Sequence, residues 1–288
     1  MLEFTTMNHF FAITLVAIFS TSVFNQSYEQ AIFNSEKAFE QAVAEKGMNK
    51  AFIEFLSPFG IMFMPGPVNG REAWAKLPES KASLRWDPIV IGVSSNGILG
   101  YSIGSSEYRE NGKDDPSIKY GHYLSVWARQ PNGKYLAALD AGYHHPKPAL
   151  TPEIWKPSSI PAVSPAVSVS AGDASVGFFS AAERVGSAKA YETSLADDAY
   201  LFRWGIEPFR GKKAIVSYLA KSKQIVKFAR RKSFIEAGNI AYHYSTYTLL
   251  DGSGKNIGDG HYVQIWKIVG GKWKIVADMN IPTGSDPE

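Results

Sequence analysis

The 288-residue chain is 45% hydrophobic and 13% aromatic, enough apolar material for two cores of ordinary size, which excludes an intrinsically disordered protein. It has no cysteine, which excludes disulfides, thiolate metal sites, a cysteine nucleophile and a lipid-modified N-terminal cysteine. The net charge of +3 is unevenly placed: residues 28–145 carry 12 basic and 13 acidic side chains, whereas residues 173–288 carry 16 and 12.

At the N-terminus FFAITLVAIF (10–19) runs into Ser-Thr-Ser, an apolar core leading to small residues, which is the order of a cleaved export signal over residues 1–27. Ten apolar residues are too few to span a bilayer, so an exported chain, periplasmic or secreted, with no membrane span after cleavage is expected. The absence of Lys and Arg from residues 1–27 leaves a buried N-terminal helix as the alternative.

SEKAFEQAVAEKG, with apolar residues returning at three and four positions, predicts an amphipathic helix, and NKAFIEFL a second, shorter one. IMFM (61–64) is a short strand, and NGREAWAKL (69–77) opens a third helix with Gly and charged residues. ILGYSIGSSEY (98–108) suits a pleated surface, and YGHYLSVWARQPNGKYLAALD (120–140) is a hairpin about the PNG turn. Six prolines between His145 and Gly172 mark a linker over residues 146–172.

The same order then repeats. ASVGFFSAAERVG and SAKAYETSL are helices, YLFR (200–203) a strand, RGKKAIVSYL (210–219) a third helix and IAYHYSTYTLL (240–250) a strand. DGHYVQIWKIVGGKWKIVAD (259–278) is again a hairpin, in which Gly, His, Tyr, Trp, Gly, Lys and Asp recur in the order of the first. Two duplicated domains, 28–145 and 173–284, each three helices followed by a bent antiparallel sheet, are therefore expected, with a cavity at the open end of each.

This order of elements, with GREAW and GKKAI opening the third helix, LADDAYLF before it and the Trp, turn, Gly-Lys-aromatic, Asp hairpin, resembles the nuclear transport factor 2 like superfamily. Within it, each half is similar to the SnoaL-like and ketosteroid-isomerase-like branch, and the resemblance covers about 230 residues, everything but leader and linker. It implies an α+β fold of two cystatin-like cone domains, each with three helices packed in a curved antiparallel sheet. It also implies that the two domains pair through their sheets as an intramolecular pseudo-dimer, which a linker of this length permits. The aspartate base of ketosteroid isomerase, itself a worked case of tuned acidity, would fall on Met64 in the first half and Arg203 in the second. Neither side chain can take a proton at neutral pH, so that mechanism does not carry over.

Strand alternation puts Tyr123, Ser125, Trp127, Ala138 and Asp140 on one face of the first hairpin and Leu124, Val126, Tyr135, Ala137 and Leu139 on the other. Tyr123, Ser125 and Trp127 are candidate ligand-binding residues, with Tyr262, Gln264 and Trp266 as counterparts beside Val276 and Asp278; a one-residue ambiguity in the VGG turn leaves that second alignment open. Asp140 and Asp278 among aromatic rings are candidate proton donors or acceptors, or else strand-end acceptors of backbone hydrogen bonds. His122 and His261 recur at identical places as candidate catalytic or structural histidines, each on the face opposite its neighbouring Tyr.

Asp197 and Asp198 read as a solvated cap or turn, and His144 and His145 diverge at a strand end. With six histidines and no cysteine no metal set converges. Lys221, Lys223, Lys227, Arg230, Arg231 and Lys232 crowd together, but Phe228 is the one aromatic among them, so they read as a solvated edge and not as a nucleic-acid surface. No phosphate loop, nucleophile elbow or dinucleotide fingerprint is present, and no cofactor is implied. The expected function is binding of a small apolar or aromatic ligand in a conical pocket. A cofactor-independent lyase, isomerase or cyclase using a His, Asp and Tyr set is one alternative, and a dimerisation or assembly module another.

Overall fold

The computed structural model describes residues 27–150, 154–156, 167–222, 224–229 and 234–284. The expected export signal lies outside the described residues except for Ser27, as do much of the proline-rich linker and Lys223, Arg230, Arg231 and Lys232 of the basic run.

The first unit comprises α1 (Tyr28–Lys46), α2 (Met48–Phe55), β1 (Leu56–Phe63), β2 (Pro67–Asn69), α3 (Gly70–Lys76), β3 (Ser83–Val93), β4 (Leu99–Arg109), β5 (Lys119–Arg129) and β6 (Tyr135–His145). The second comprises α4 (Ala171–Val185), α5 (Ser187–Ser194), β7 (Leu195–Phe202), β8 (Phe209–Arg210), α6 (Lys212–Lys221), β9 (Ile225–Phe228), β10 (Ile235–Ala237), β11 (Ile240–Leu250), β12 (Asn256–Val269) and β13 (Lys272–Pro282). The fold is α+β, with two curled sheets and six helices among the described residues.

α1 forms because Ile32, Glu36, Phe39 and Val43 return every three or four positions and all are buried. Ser27 starts it by accepting the Gln30 backbone N–H at 3.2 Å, and Gly47 ends it. α4 repeats the pattern, with Ser170 accepting from the Asp173 N–H at 3.1 Å and Gly186 at the end.

The strand order is β2-β1-β6-β5-β4-β3 in the first sheet and β10-β11-β12-β13-β7-β8 in the second, with β9 on β11. Neighbours are antiparallel except β1 with β6 and β7 with β13, which run parallel because a helical crossover separates them in sequence.

Both long hairpins carry a bulge at the same place. Val126 pairs with Leu139 and Trp127 with Ala137, leaving Ala138 as the extra residue; Ile265 pairs with Ala277 and Trp266 with Ile275, leaving Val276. The uninterrupted alternation expected from sequence is corrected here. Past the bulge Tyr135 and Ala137 join Trp127 on the inner face, and Ala138 packs with the outer cluster.

Inside the first sheet Phe39, Phe52, Trp86, Tyr123 and Trp127 make one core. Its outer face, Tyr101, Ile103, Leu124, Val126 and Leu139, belongs to a continuous buried cluster that includes the core of the second unit. Contacts cross in matching pairs: Phe63 lies 5.8 Å from His261 and Phe202 lies 6.4 Å from His122, ring centre to ring centre. Ser95 N–H also donates to Asn239 Oδ1 at 2.8 Å. The connecting segment returns to the first unit, where the Trp155 N–H donates to Pro88 O at 2.7 Å and the Trp155 ring lies 5.3 Å from Phe33.

Leu124 is fully buried on that outer face. Leu124→Ala should cost about 2–5 kcal/mol, the usual range for a large-to-small change in a packed core, read as a lower urea midpoint with an unchanged slope.

Candidate functional site

The first unit holds a cavity of about 310 Å³. Rings form most of its wall, among them Phe39, Phe52, Trp74, Trp86, Tyr108 and Tyr123. Its polar corner is Glu36, Ser125 and Asp140. α1 brings Glu36 from above, and β5 and β6 bring Ser125 and Asp140 side by side, since the two are paired across the sheet.

Glu36 is buried, with 1% of its surface exposed. It accepts from Trp86 Nε1 at 2.7 Å, from Trp127 Nε1 at 3.2 Å and from the Ser102 hydroxyl. Burial pushes its carboxyl from the ordinary 4.5 up to about 7, against the pull of those donors, and the nearby Asp140 pushes the same way. Asp140 keeps some exposed surface because it lines the cavity. Burial raises it from 3.8 to about 6, while a 2.6 Å hydrogen bond from Ser125 Oγ favours the ionised form. The Tyr123 hydroxyl is buried beside Glu36, and burial first, then the charges of Glu36 and Asp140, hold it well above its ordinary value. Three groups able to hold or move a proton thus converge on a hollow walled largely by rings, with Ser106 and His144 also on its lining.

The second unit fills the equivalent place with an ion pair. Asp278 is fully buried and accepts from Tyr191 OH at 2.7 Å, Gln264 Nε2 at 2.6 Å and Arg203 Nη1 at 2.8 Å. Trp266 Nε1 donates to Gln264 Oε1 at 3.2 Å, and the Tyr262 hydroxyl to Ala229 O at 3.0 Å. Arg203 carries the opposing influences of burial, which disfavours its charge, and Asp278, which favours it; the net shift is upward, so the guanidinium stays ionised. An aspartate saturated by three donors is poorly placed to move a proton.

Neither histidine singled out from sequence meets its aspartate. His122 lies on the face of β5 opposite Ser125, with Nδ1 2.7 Å from His145 Nε2, and burial depresses its pKa to about 3. His261 faces Phe63, on the side of β12 away from Gln264 and Asp278. Asp197 pairs with Lys212 at 2.7 Å. Among the described residues no three His, Asp or Glu side chains converge for a metal, and no helix is long and apolar enough to cross a membrane.

Sequence reasoning missed Glu36, Trp86 and Trp204. The signal for Glu36 was present: an acid at the centre of the Ile32, Phe39, Val43 stripe cannot face water if the helix packs.

No family model and no curated protein matches the chain. In fold, it resembles nuclear transport factor 2 like proteins. A ketosteroid isomerase-like protein from Erwinia carotovora atroseptica SCRI1043 is 11% identical, with 42% of this chain and 98% of that one covered at a TM-score of 0.33. A nuclear transport factor 2 like protein of unknown function from Shewanella oneidensis MR-1 is 16% identical, covering 39% and 95% at 0.33. A cystatin-like-fold protein of unknown function from Nostoc punctiforme PCC 73102 is 16% identical, covering 41% and 97% at 0.32. The likeness is one of fold, and the chemistry has to be read from the side chains.

Because Glu36 keeps its proton to a higher pH folded than unfolded, folding loses stability as pH rises from 4.5 to about 7 and then levels off. Glu36→Gln should remove that loss. Urea unfolding should show the variant matching the parent near pH 4.5 and exceeding it at pH 8, by at most roughly 3 kcal/mol at 1.36 kcal/mol per unit.

Proposed function

We propose that the first unit binds a small, largely apolar or aromatic molecule, its rings against the aromatic wall and one polar group against Ser125 and Asp140. The carrying observation is the cavity of about 310 Å³, walled largely by rings, with Ser125 and Asp140 side by side at one end and Ser106 and His144 also on its lining. We further read the chain as exported, on the strength of FFAITLVAIF and the small residues after it, and the sheet-to-sheet contact as an intramolecular pair.

2-Naphthol, an aromatic molecule with one hydroxyl, is a suitable probe. Calorimetry should give saturable binding at one site per chain. Gly142 lines the cavity, and a side chain there would meet its nearest neighbour, His122 O, at 3.4 Å, so Gly142→Leu has room on the backbone and fills the hollow. It should abolish 2-naphthol binding with the unfolding midpoint nearly unchanged; equal binding by both forms would refute the reading.

A second reading is favoured by the raised carboxyls. Asp140, raised by burial to about 6 and reachable from the cavity, is suited to act as a base for cofactor-independent proton transfer of the lyase or isomerase kind. The wild-type chain should then speed deuterium exchange at the acidic carbon of 2-tetralone by about 10²–10⁴-fold over buffer. The rate should rise with pH through about 6, and Asp140→Asn should lose the acceleration, both followed by proton NMR.

A further inference from the structure

The wall of the first unit's cavity is completed by the second unit. Trp204, which follows β7, lines it alongside Tyr143, with the two rings 6.0 Å apart. Trp204 sits in a turn closed by the Ile206 N–H donating to Arg203 O at 3.3 Å, with Gly205 at a φ of 74° that a side chain would resist.

Both ends of this turn are fastened. On one side Arg203 donates through Nη1 to Asp278 at 2.8 Å and to Phe202 O at 2.8 Å. On the other, the Tyr143 hydroxyl of the first unit donates to Ile206 O at 2.8 Å. The turn that carries the indole is therefore held from its own unit's buried ion pair and from the unit whose cavity the indole lines.

The reciprocal crossing is different. Where β7 and its turn present Phe202, Arg203 and Trp204, β1 and its turn present Phe63, Met64 and Pro65. Where Tyr143 offers a hydroxyl, the matching strand position is Ile281. Only one of the two crossings carries an indole, and it points to the unit with Asp140 and Glu36.

We infer that Trp204 is a specificity-determining residue which the second unit supplies to the first unit's cavity, and that the Arg203–Asp278 pair serves to position it. The second unit then acts as a fixed wall, selecting flat aromatic ligands and shielding the polar corner from water. This rests on the ligand-binding reading above, and its test needs no ligand.

The chain has no cysteine, so Ser125→Cys makes a single thiol at the polar corner. Its reaction with N-ethylmaleimide reports access to the cavity. Adding Trp204→Ala should raise the rate about tenfold, with Trp204→Leu and Trp204→Phe falling between in order of size. Ser175→Cys, buried in α4 of the second unit, reports general opening, and its rate should not change in the same backgrounds. An unchanged Ser125→Cys rate across the Phe, Leu and Ala series, or equal acceleration at Ser175→Cys, would overturn the inference whether or not 2-naphthol binds.

Discussion

Each sheet is apolar on both faces, and that constraint governs the rest of the molecule. Tyr123, Trp127 and Tyr135 line the inside of the first sheet while Ile103, Leu124, Val126 and Leu139 cover the outside, so helices can shelter one face and something else must shelter the other. The second unit's sheet does so. Fully burying side chains of this size stabilises by about 1.5–3 kcal/mol each, far more than the few polar bonds that cross between units. At that contact His122 is buried beside Phe202, and His261 is half-buried beside Phe63.

On the inner faces the two units differ at matching positions. Ser125 beside Asp140 leaves a carboxyl with one hydrogen bond and open space; Gln264 beside Asp278, with Tyr191 and Arg203, leaves a carboxyl with three donors. Burial raises the acid in the first environment to about 6, whereas the one in the second has its oxygens taken up by Tyr191, Gln264 and Arg203. Glu36 adds to the contrast, since the matching residue of α4 is Ser175, whose hydroxyl donates to Gly172 O at 2.8 Å.

The fold was legible because its signals are local and doubled: helix periods, turn residues and the Trp–Gly-Lys–Asp hairpin each occur twice. The site was legible in part. Tyr123, Ser125 and Asp140 share the inner face because alternation holds along β5 and beyond the bulge in β6. Ala138 and Val276 fell outside that logic because a bulge inserts one residue without a sequence mark. The Ser125–Asp140 partnership depends on cross-strand register, which a hairpin of uncertain turn length does not fix. Arg203 could be seen to occupy the place of a base, but not that it neutralises Asp278. Trp204 was out of reach altogether, because the cavity it lines belongs to residues sixty or more positions earlier in the chain.

Covalent joining of the two units has a consequence for how such a site can change. In a homodimer with two-fold symmetry every substitution is made twice, so an arginine that silences one hollow silences its mate, and an indole lent across the contact is lent back. A single polypeptide is free of that rule. Here Arg203 and Trp204 stand next to each other without any copy at Met64 and Pro65, so one half can specialise in support while the other keeps its acids.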